Sequence, residues 1–222
     1  MHPEKKPSGP SRPPRPLRPP RPPRPLRVVV YNAHFAERYG AAPLTERNEQ
    51  CIAAFMSLPL AASTIFFVQE AGLYLAHIAK LAFTTHLVSY RPTDGRMALL
   101  TLVPRALAKE GAYVATHELR NSAMARQFHA VHVRDMVLVN THLESCAASR
   151  AVRGKQVDEI NAMYLYGGPG YRVGIRLGIF GDLNGYNSHW DSPISGGTAV
   201  TVLEKRAYAS ISPHKLLVLS VE

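Results

Sequence analysis

The sequence predicts a mixed α/β domain that follows a basic tail. The chain has 222 residues, of which 46% are hydrophobic, and this is enough for one sizeable folded unit. Short apolar runs rich in β-branched residues, typical of strands, alternate with segments whose apolar residues recur at helical spacing. The strand-like runs lie near 27–32, 64–69, 86–90, 97–103, 127–133, 136–142, 175–181 and 215–221. The sequence therefore predicts strands and helices in mixed order along the chain.

Three segments between these runs have the pattern of helices. The first covers 46–58 and has Thr45 before it as a capping residue. The second covers 71–83. The third covers 149–166, and five of its residues recur at helical spacing: Val152, Gln156, Val157, Ile160 and Tyr164. The GGPG stretch at 167–170 predicts a loop before the next strand.

Membrane spans and disulfides are not expected. No apolar run approaches 18 residues, the length typical of a membrane-spanning helix. The chain has two cysteines, Cys51 and Cys146, and no signal-like apolar segment at its N-terminus, so no disulfide framework is expected. Cys146 lies near His142 and could act as a nucleophile, but a small buried packing residue is the commoner role.

The most informative stretch is GIFGDLNG at 178–185, where an apolar run stops at Asp182 and Asn184. Because side chains alternate along a strand, these two polar groups point to the same side. A carboxylate that can take a proton and an amide that can orient a ligand suit metal-assisted attack on a phosphate. Asp and Asn also begin turns after strands, so a plain turn is the alternative.

Other strands end in the same way. Asn32 ends the run VVVYN, and Glu70 ends TIFFVQE. His142 and Glu144 lie at the end of MVLVNTHLES, and His214 stands just before the last apolar run. Polar groups on separate strands converge only where one edge of the fold collects them. Several such strand ends therefore favour a site over independent turns.

In their order along the chain, these motifs resemble those of the metal-dependent endonuclease/exonuclease/phosphatase superfamily. That superfamily has an Asn after the first strand, a QE pair, a THL segment, a GDxN segment and a C-terminal SDH. Here they read Asn32, Gln69-Glu70, Thr141-His142-Leu143, Gly181-Asp182-Leu183-Asn184 and Ser212-Pro213-His214. The spans NSAMARQFHAVHV, VLVNTHLES and LEKRAYASISPHK make the likeness closer to the tyrosyl-DNA phosphodiesterase 2 branch. The resemblance covers residues 27–222 and implies a two-sheet α/β sandwich with flanking helices and the site at one edge.

The resemblance also implies catalytic roles. Glu70 would coordinate a hard cation, Mg²⁺ or alternatively Mn²⁺. Asp182, oriented by Asn184, would act on the attacking water. His142 and His214 would donate to non-bridging phosphate oxygens as negative charge shifts. For any single His, packing or a strand-end hydrogen bond is the commoner explanation.

A second group would bind the substrate: Asn32, Arg126, Arg153 and Glu144. Asn32 would hold water and phosphate around the cation, and the two arginines would contact the substrate backbone. Arg153, together with Gln156, could equally cap and solvate a helix. An exposed carboxylate at Glu144 could equally be structural.

Two departures from the family pattern bear on activity. Pro213 stands where the family has Asp, and a proline can neither ligate nor orient His214 and lacks a backbone donor. The interval 185–211 is short and has no counterpart of the aromatic-flanked Asp that would pair with His214. Asp191 is its only Asp. A His without a carboxylate partner is less well held in its tautomer, so activity could be reduced, altered or absent.

The first 27 residues differ in composition from the rest. They contain 11 of the 18 prolines, and their net charge of +7 leaves only +3 of the chain's +10 for the remainder. Arginine recurs at every third position, at Arg12, Arg15, Arg18, Arg21, Arg24 and Arg27. In a polyproline II helix these residues would line one face about 9 Å apart. We therefore expect residues 1–26 to be a disordered basic tail that binds nucleic acid or another polyanion. A solvating extension or a ligand for a proline-binding module is the alternative.

Together these features predict a metal-dependent phosphodiesterase acting on DNA or RNA, including 5′-phosphotyrosyl linkages between protein and nucleic acid. The alternative is a degenerate relative that keeps the fold and binds polyanions without turnover. A small-molecule or lipid phosphatase is a weaker third hypothesis, because the charge of the tail points to a polymer, although it would also suit an anionic membrane. We expect an intracellular, nuclear monomer, and the branch implies DNA repair.

Overall fold

The computed structural model describes residues 24–33, 44–92, 98–145, 150–166, 168–170, 172–184, 194–196, 200–207 and 215–222. The helices are α1 (Leu44–Met56), α2 (Leu73–Ala82), α3 (Arg105–Lys109) and α4 (Arg150–Tyr164). The strands are β1 (Leu26–Asn32), β2 (Thr64–Ala71), β3 (His86–Pro92), β4 (Ala98–Pro104), β5 (Tyr113–Glu118), β6 (Gln127–Val133), β7 (Met136–His142), β8 (Arg176–Asp182), β9 (Ile194–Gly196), β10 (Val200–Ala207) and β11 (Lys215–Val221). A short 3-10 helix, Ala61–Ser63, precedes β2.

The strands form two mixed sheets with the orders β10-β11-β1-β2-β4-β3 and β5-β6-β7-β8-β9. The expected two-sheet α/β sandwich with flanking helices is confirmed. Each of the strand-like runs and helical patterns found in the sequence occurs at its predicted place, with ends that differ by about two residues.

Besides the short 3-10 helix, four elements have no counterpart in the sequence-based prediction: α3, β5, β9 and β10. Strand β5 is at the edge of its sheet, and its residues are only half-buried. An edge strand of this kind has no continuous apolar run, which is the signal that revealed the central strands. Strand β10 is also an edge strand, and three of its eight residues are charged.

The sandwich is built from four layers. Helices α1 and α2 cover the outer face of the six-stranded sheet, and α4 covers the outer face of the five-stranded sheet. A third apolar cluster fills the space between the sheets. Along β1 the two faces alternate, because Val28 and Val30 point to this inner cluster while Val29 points to the outer one. Burial on both faces explains why the central strands read as unbroken apolar runs.

Among the strand pairings that the structure describes, one in each sheet is parallel: β1 with β2, and β7 with β8. The carboxyl ends of two parallel neighbours lie side by side, whereas those of antiparallel neighbours lie at opposite edges. Asn32 is in register with Gln69, and His142 is in register with Asp182. The two parallel pairs therefore deliver the polar strand ends to one edge.

Helices of the described segments are too short or too polar to span a membrane. Cys51 is a free, buried thiol, and burial raises its pKa. Cys146 lies outside the described residues.

Candidate active site

The carboxyl ends of β1, β2, β7 and β8 meet at one edge of the sandwich, which we call the site edge. Asn32, from the six-stranded sheet, donates through Nδ2 to Asp182 Oδ2 on the other sheet at 2.8 Å. The same nitrogen lies 3.2 Å from Glu70 Oε1. Asn32 and Asp182 are buried, and Glu70 is nearly so. Three predicted site residues, up to 150 positions apart in the chain, thus share one hydrogen-bonded cluster.

His142, at the end of β7, faces the same two carboxylates. Its Nε2 lies 3.8 Å from Glu70 Oε1 and 3.7 Å from Asp182 Oδ2. Its other ring nitrogen, Nδ1, lies 3.1 Å from Nη1 of Arg126. Because a guanidinium can only donate, Nδ1 must accept, and the ring then carries its proton on Nε2. His142 therefore presents an N–H toward the carboxylates.

The backbone at this edge adopts unusual conformations. Glu70 has a φ of 49° within a bulge where the register between β2 and β4 shifts. Left-handed backbone at a residue with a Cβ costs about 1 kcal/mol or more and occurs preferentially at functional sites. Gly181 has a φ of 127°, and a Cβ there would run into the carbonyl oxygen of Thr141. Only glycine allows β8 to approach β7 this closely.

Asn184 contacts Asp182 through its backbone and not through its side-chain amide. The N–H of Asn184 donates to Asp182 Oδ1 at 3.0 Å. The side-chain Nδ2 of Asn184 instead donates to the carbonyl oxygen of Leu143 at 2.7 Å, which ties the end of β8 to the segment after β7. Each oxygen of Asp182 therefore has a donor, Asn184 for Oδ1 and Asn32 for Oδ2.

The residues of the site edge fit a divalent cation. Glu70, His142 and Asp182 each offer one ligand atom, and these atoms lie within 4.8 Å of one another. Because His142 Nε2 carries a proton, the two carboxylates are the ligands that this arrangement offers. Oxygen ligands of this kind are those that Mg²⁺ and Mn²⁺ prefer. Two carboxylates that converge on one amide repel each other, and a cation between them relieves this repulsion.

A second cluster holds the segment after β7. Glu144 is buried, and its Oε2 accepts from Ser122 Oγ at 2.8 Å and from Gln156 Nε2 at 3.3 Å. Arg153, also buried, donates to the backbone carbonyl of Glu144 at 3.1 Å. Arg126 joins this cluster to the site, since its backbone N–H donates to Ser122 Oγ at 2.8 Å. In the structure these residues brace one another around His142, and their role in substrate binding stays a prediction.

Sequence reasoning assigned no role to four buried polar residues behind the site edge: Gln69, Thr101, His129 and Asn140. We call this set the polar seam. Each of its members continues an inward-facing row of a strand, as Gln69 continues Ile65 and Phe67. A period-two reading that marked a polar residue at the end of an apolar row would have found Gln69, His129 and Asn140, whereas Thr101 stands between Leu99 and Val103. Burial, with a smaller effect of the Arg91 charge, lowers the pKa of His129 to about 4, so this ring is neutral.

His214, Pro213 and Asp191 lie outside the described residues, as do residues 1–23 of the tail. The roles given to them stay predictions.

Comparison with known proteins gives structural matches alone. No family model matches the chain, and no curated protein matches it by sequence. TDP2 (tyrosyl-DNA phosphodiesterase 2) from Caenorhabditis elegans is similar with a TM-score of 0.62 at 18% identity, over 89% of this chain and 74% of that one. D. rerio TDP2 complexed with a single-strand DNA product gives a TM-score of 0.60 at 14% identity, over 89% and 99% of the two chains. An endonuclease/exonuclease/phosphatase from Bacteroides vulgatus gives 0.61 at 12% identity, over 89% and 98%.

These matches define the class of the fold. The chain has the sandwich fold of endonuclease/exonuclease/phosphatase proteins, and structures of TDP2 are among its matches. The fold that the resemblance implied is thereby confirmed.

Proposed function

We propose that this chain is a metal-dependent phosphodiesterase that hydrolyses phosphodiester bonds of nucleic acid at the site edge. The observation that carries the proposal is the convergence of Asn32, Glu70, His142 and Asp182 from four strand ends on two sheets. Their chemistry is complementary, since two carboxylates supply negative charge and an acceptor for a proton, while Asn32 and His142 supply N–H donors.

Each residue of the site has a proposed task. Glu70 would hold the cation, which when bound offsets the negative charge of the phosphate. Asp182, fixed by Asn32 and the Asn184 N–H, accepts a proton from the attacking water. The water oxygen bonds to phosphorus as the bond from phosphorus to the leaving oxygen breaks. The Nε2–H of His142 donates to a non-bridging phosphate oxygen, where charge accumulates.

We propose single-stranded nucleic acid with a 5′-phosphotyrosyl linkage as the substrate to test first. This rests on the similarity to TDP2 structures, one of which is complexed with a single-strand DNA product. On such a substrate, the tyrosine would leave as a phenolate that takes up a proton from solvent. Cleavage within the strand would instead give shortened fragments, so the products distinguish the two reactions.

The deciding experiment measures the release of tyrosine and of fragments from 5′-phosphotyrosyl single-stranded DNA in Mg²⁺, in Mn²⁺ and with a chelator. We expect hydrolysis by the full chain with metal, and a loss of at least about 10³-fold in Asp182→Asn. The matched control is Asp135→Asn, which changes an exposed carboxylate that Arg176 binds far from the site. Hydrolysis that survives both the chelator and Asp182→Asn would contradict the proposal.

A second candidate function is a catalytically degenerate protein that binds nucleic acid. Pro213, which replaces the Asp of the family motif, favours it. In this case the full chain binds the same DNA without releasing tyrosine or fragments, and Asp182→Asn leaves binding unchanged.

We also propose that the basic tail contributes to nucleic-acid binding. Removing residues 1–23 deletes six Lys and Arg residues but leaves β1 intact, because Leu26 pairs with Val221. If each basic residue contacts one phosphate of a single strand, the slope of log K against log salt falls by up to about 4. An unchanged slope would reject this role.

A further inference from the structure

The site edge depends on how the two sheets sit against each other. Asn32 and Glu70 belong to one sheet, while His142 and Asp182 belong to the other. Most of the contact between the sheets is made by the inner apolar cluster. Apolar contacts are non-directional, so they restrict the relative position of the two sheets less sharply than hydrogen bonds do.

The polar seam connects the sheets by directional bonds. Gln69 Nε2 on β2 donates to Asn140 Oδ1 on β7 at 2.7 Å. Asn140 Nδ2 then donates to Thr101 Oγ1 on β4 at 3.0 Å and to the carbonyl of Leu100 at 3.2 Å. Thr101 Oγ1 lies 2.9 Å from His129 Nδ1 on β6. The chain of bonds therefore crosses between the sheets three times.

Stability alone does not explain these four residues. All are at most 1% exposed, and burying polar groups costs free energy that their hydrogen bonds only offset. Apolar residues of similar volume would serve the inner core at least as well. What the seam provides and apolar residues do not is a fixed relative position, because a bond of 2.7 Å is lost when the sheets slide by an ångström or two.

The seam lies directly behind the site. Gln69 precedes Glu70, whose strained backbone needs support from its surroundings. Asn140 lies two residues before His142 on the same face of β7. The Gln69 amide also lies against Gly181, the residue before Asp182. The polar seam is therefore adjacent along the chain to Glu70, and one residue separates it from His142 and from Asp182.

We infer that Gln69, Thr101, His129 and Asn140 are positioning residues, which hold the two sheets in the register that brings Glu70, His142 and Asp182 together. The expected effect of these residues on metal binding rests on the proposed function. Their expected effect on the register of the two sheets rests on the Asn32 contacts alone. Asn32 Nδ2 spans the sheets and touches both carboxylates, so its amide protons report the register with or without a metal.

The first test compares two substitutions at Thr101, which touches none of the proposed catalytic residues. Thr101→Val keeps the shape and removes the hydroxyl, whereas Thr101→Ser keeps the hydroxyl. We expect solvent exchange of the Asn32 side-chain amide protons, measured by NMR, to accelerate at least about tenfold in Thr101→Val. In Thr101→Ser the rate should stay within about twofold of the unmodified chain.

The second test replaces the central link in one step with Gln69→Met/Asn140→Leu, which removes both amides of this bond together, while Thr101 Oγ1 and the Leu100 carbonyl lose their Asn140 donor. We expect Mn²⁺ affinity, measured by calorimetry, to fall about 10- to 100-fold, while the urea midpoint of unfolding falls by no more than it does in the control. The control is Val131→Ala, in the same inward row as His129. It should lower the urea midpoint and leave Mn²⁺ affinity and Asn32 exchange within about twofold.

The outcomes separate this inference from the proposed function. If the unmodified chain binds no Mn²⁺, the proposed metal site is wrong, and the Asn32 exchange rates still decide the role of the seam. If Thr101→Val and the double variant both leave Asn32 exchange unchanged, the seam does not position the site and the inference is wrong. If Val131→Ala has the same effect on Asn32 as the seam variants, general loosening of the core explains the result, and the inference is again wrong.

Discussion

The two edges of the sandwich have opposite chemistry. At the site edge, where β1, β2, β7 and β8 end, two carboxylates face a neutral imidazole and an amide. At the opposite edge, where β1, β7 and β8 begin, arginines dominate. There, Arg134 Nη1 donates to the carbonyl of Arg24 at 2.7 Å, and Arg176 binds Asp135 through two bonds of 2.9 Å.

This difference shows how one small domain separates two kinds of charge. Seven-residue strands hold the edges about 20 Å apart, so neither neutralises the other. The opposite edge has a cavity of about 110 Å³, whose lining includes His132, Arg134 and Arg172. The basic tail joins the domain at this edge, through Arg24. The site edge is therefore acidic and the opposite edge basic, so the two edges favour ligands of opposite charge.

The largest expected effect contrasts a carboxylate at each edge. Glu70→Gln should reduce hydrolysis and Mn²⁺ affinity by about 10³-fold, because it removes a cation ligand. Asp135→Asn should change both by less than about twofold, because its carboxylate is exposed and binds Arg176 at the other edge. Calorimetry with Mn²⁺ and the tyrosine-release assay measure the two quantities. Equal effects at both edges would show that the cation binds elsewhere.

Two glycines, one near each edge, allow the backbone packing at the two edges to be compared. Gly181→Ala should lower the free energy of unfolding by about 4 kcal/mol, because its φ is positive and a Cβ would meet the Thr141 carbonyl. Gly174, near the opposite edge, also has a positive φ, of 76°, but nothing lies within 4 Å of a Cβ there. Gly174→Ala should therefore cost about 1 kcal/mol. Urea unfolding of both variants measures the difference, and similar costs would contradict the close approach of β8 to β7.

Two histidines on β6 extend the comparison to pH. His129 has its pKa lowered to about 4 by burial, from 6.5 in the unfolded chain. Between these values only the unfolded chain binds the proton, so stability present above pH 6.5 is lost as the pH falls to 4. This loss amounts to about 3 kcal/mol, and His129→Leu should remove it.

His132, at the other end of β6, is the control for this pH dependence. Its pKa is also lowered, first by burial and then by the charges of Arg172 and His117, but the residue is only half-buried. His132→Leu should therefore change the pH dependence less than His129→Leu does. Urea midpoints measured between pH 4 and pH 7 give the comparison. The reverse order would show that His129 is hydrated.

The smallest effect concerns the basic edge. Arg134→Gln/Arg172→Gln removes two charges from the cavity and should reduce the salt slope of single-stranded DNA binding by about 1.4, with hydrolysis at saturating substrate unchanged. A matched substitution, Lys155→Gln, removes an exposed charge from helix α4 on the outer face of the sandwich and should leave the slope as it is. If all three basic residues contribute equally, the binding is not specific to this edge.

Much of the fold could be predicted from the sequence, and the missing parts share a cause. Unbroken apolar runs revealed the central strands, because burial on both faces leaves a local signal. The half-exposed edge strand β5 leaves no such signal. Asn32, Glu70, His142 and Asp182 were predicted as site residues because each ends an apolar run and matches a motif, and the structure brings them together. The Thr101 and His129 members of the seam were missed, because a single polar residue in a strand looks like an ordinary variation.

The sequence by itself determined which residues end the strands and which helices cover them, since both follow from the spacing of neighbouring residues. Only the tertiary structure decided that Asn32 donates to Asp182, that Arg126 sets the tautomer of His142, and that Glu70 has left-handed backbone. The physical reason is distance along the chain. Contacts across the sheets join residues as far as 150 positions apart, and they depend on the register of two packed sheets, which no local pattern encodes.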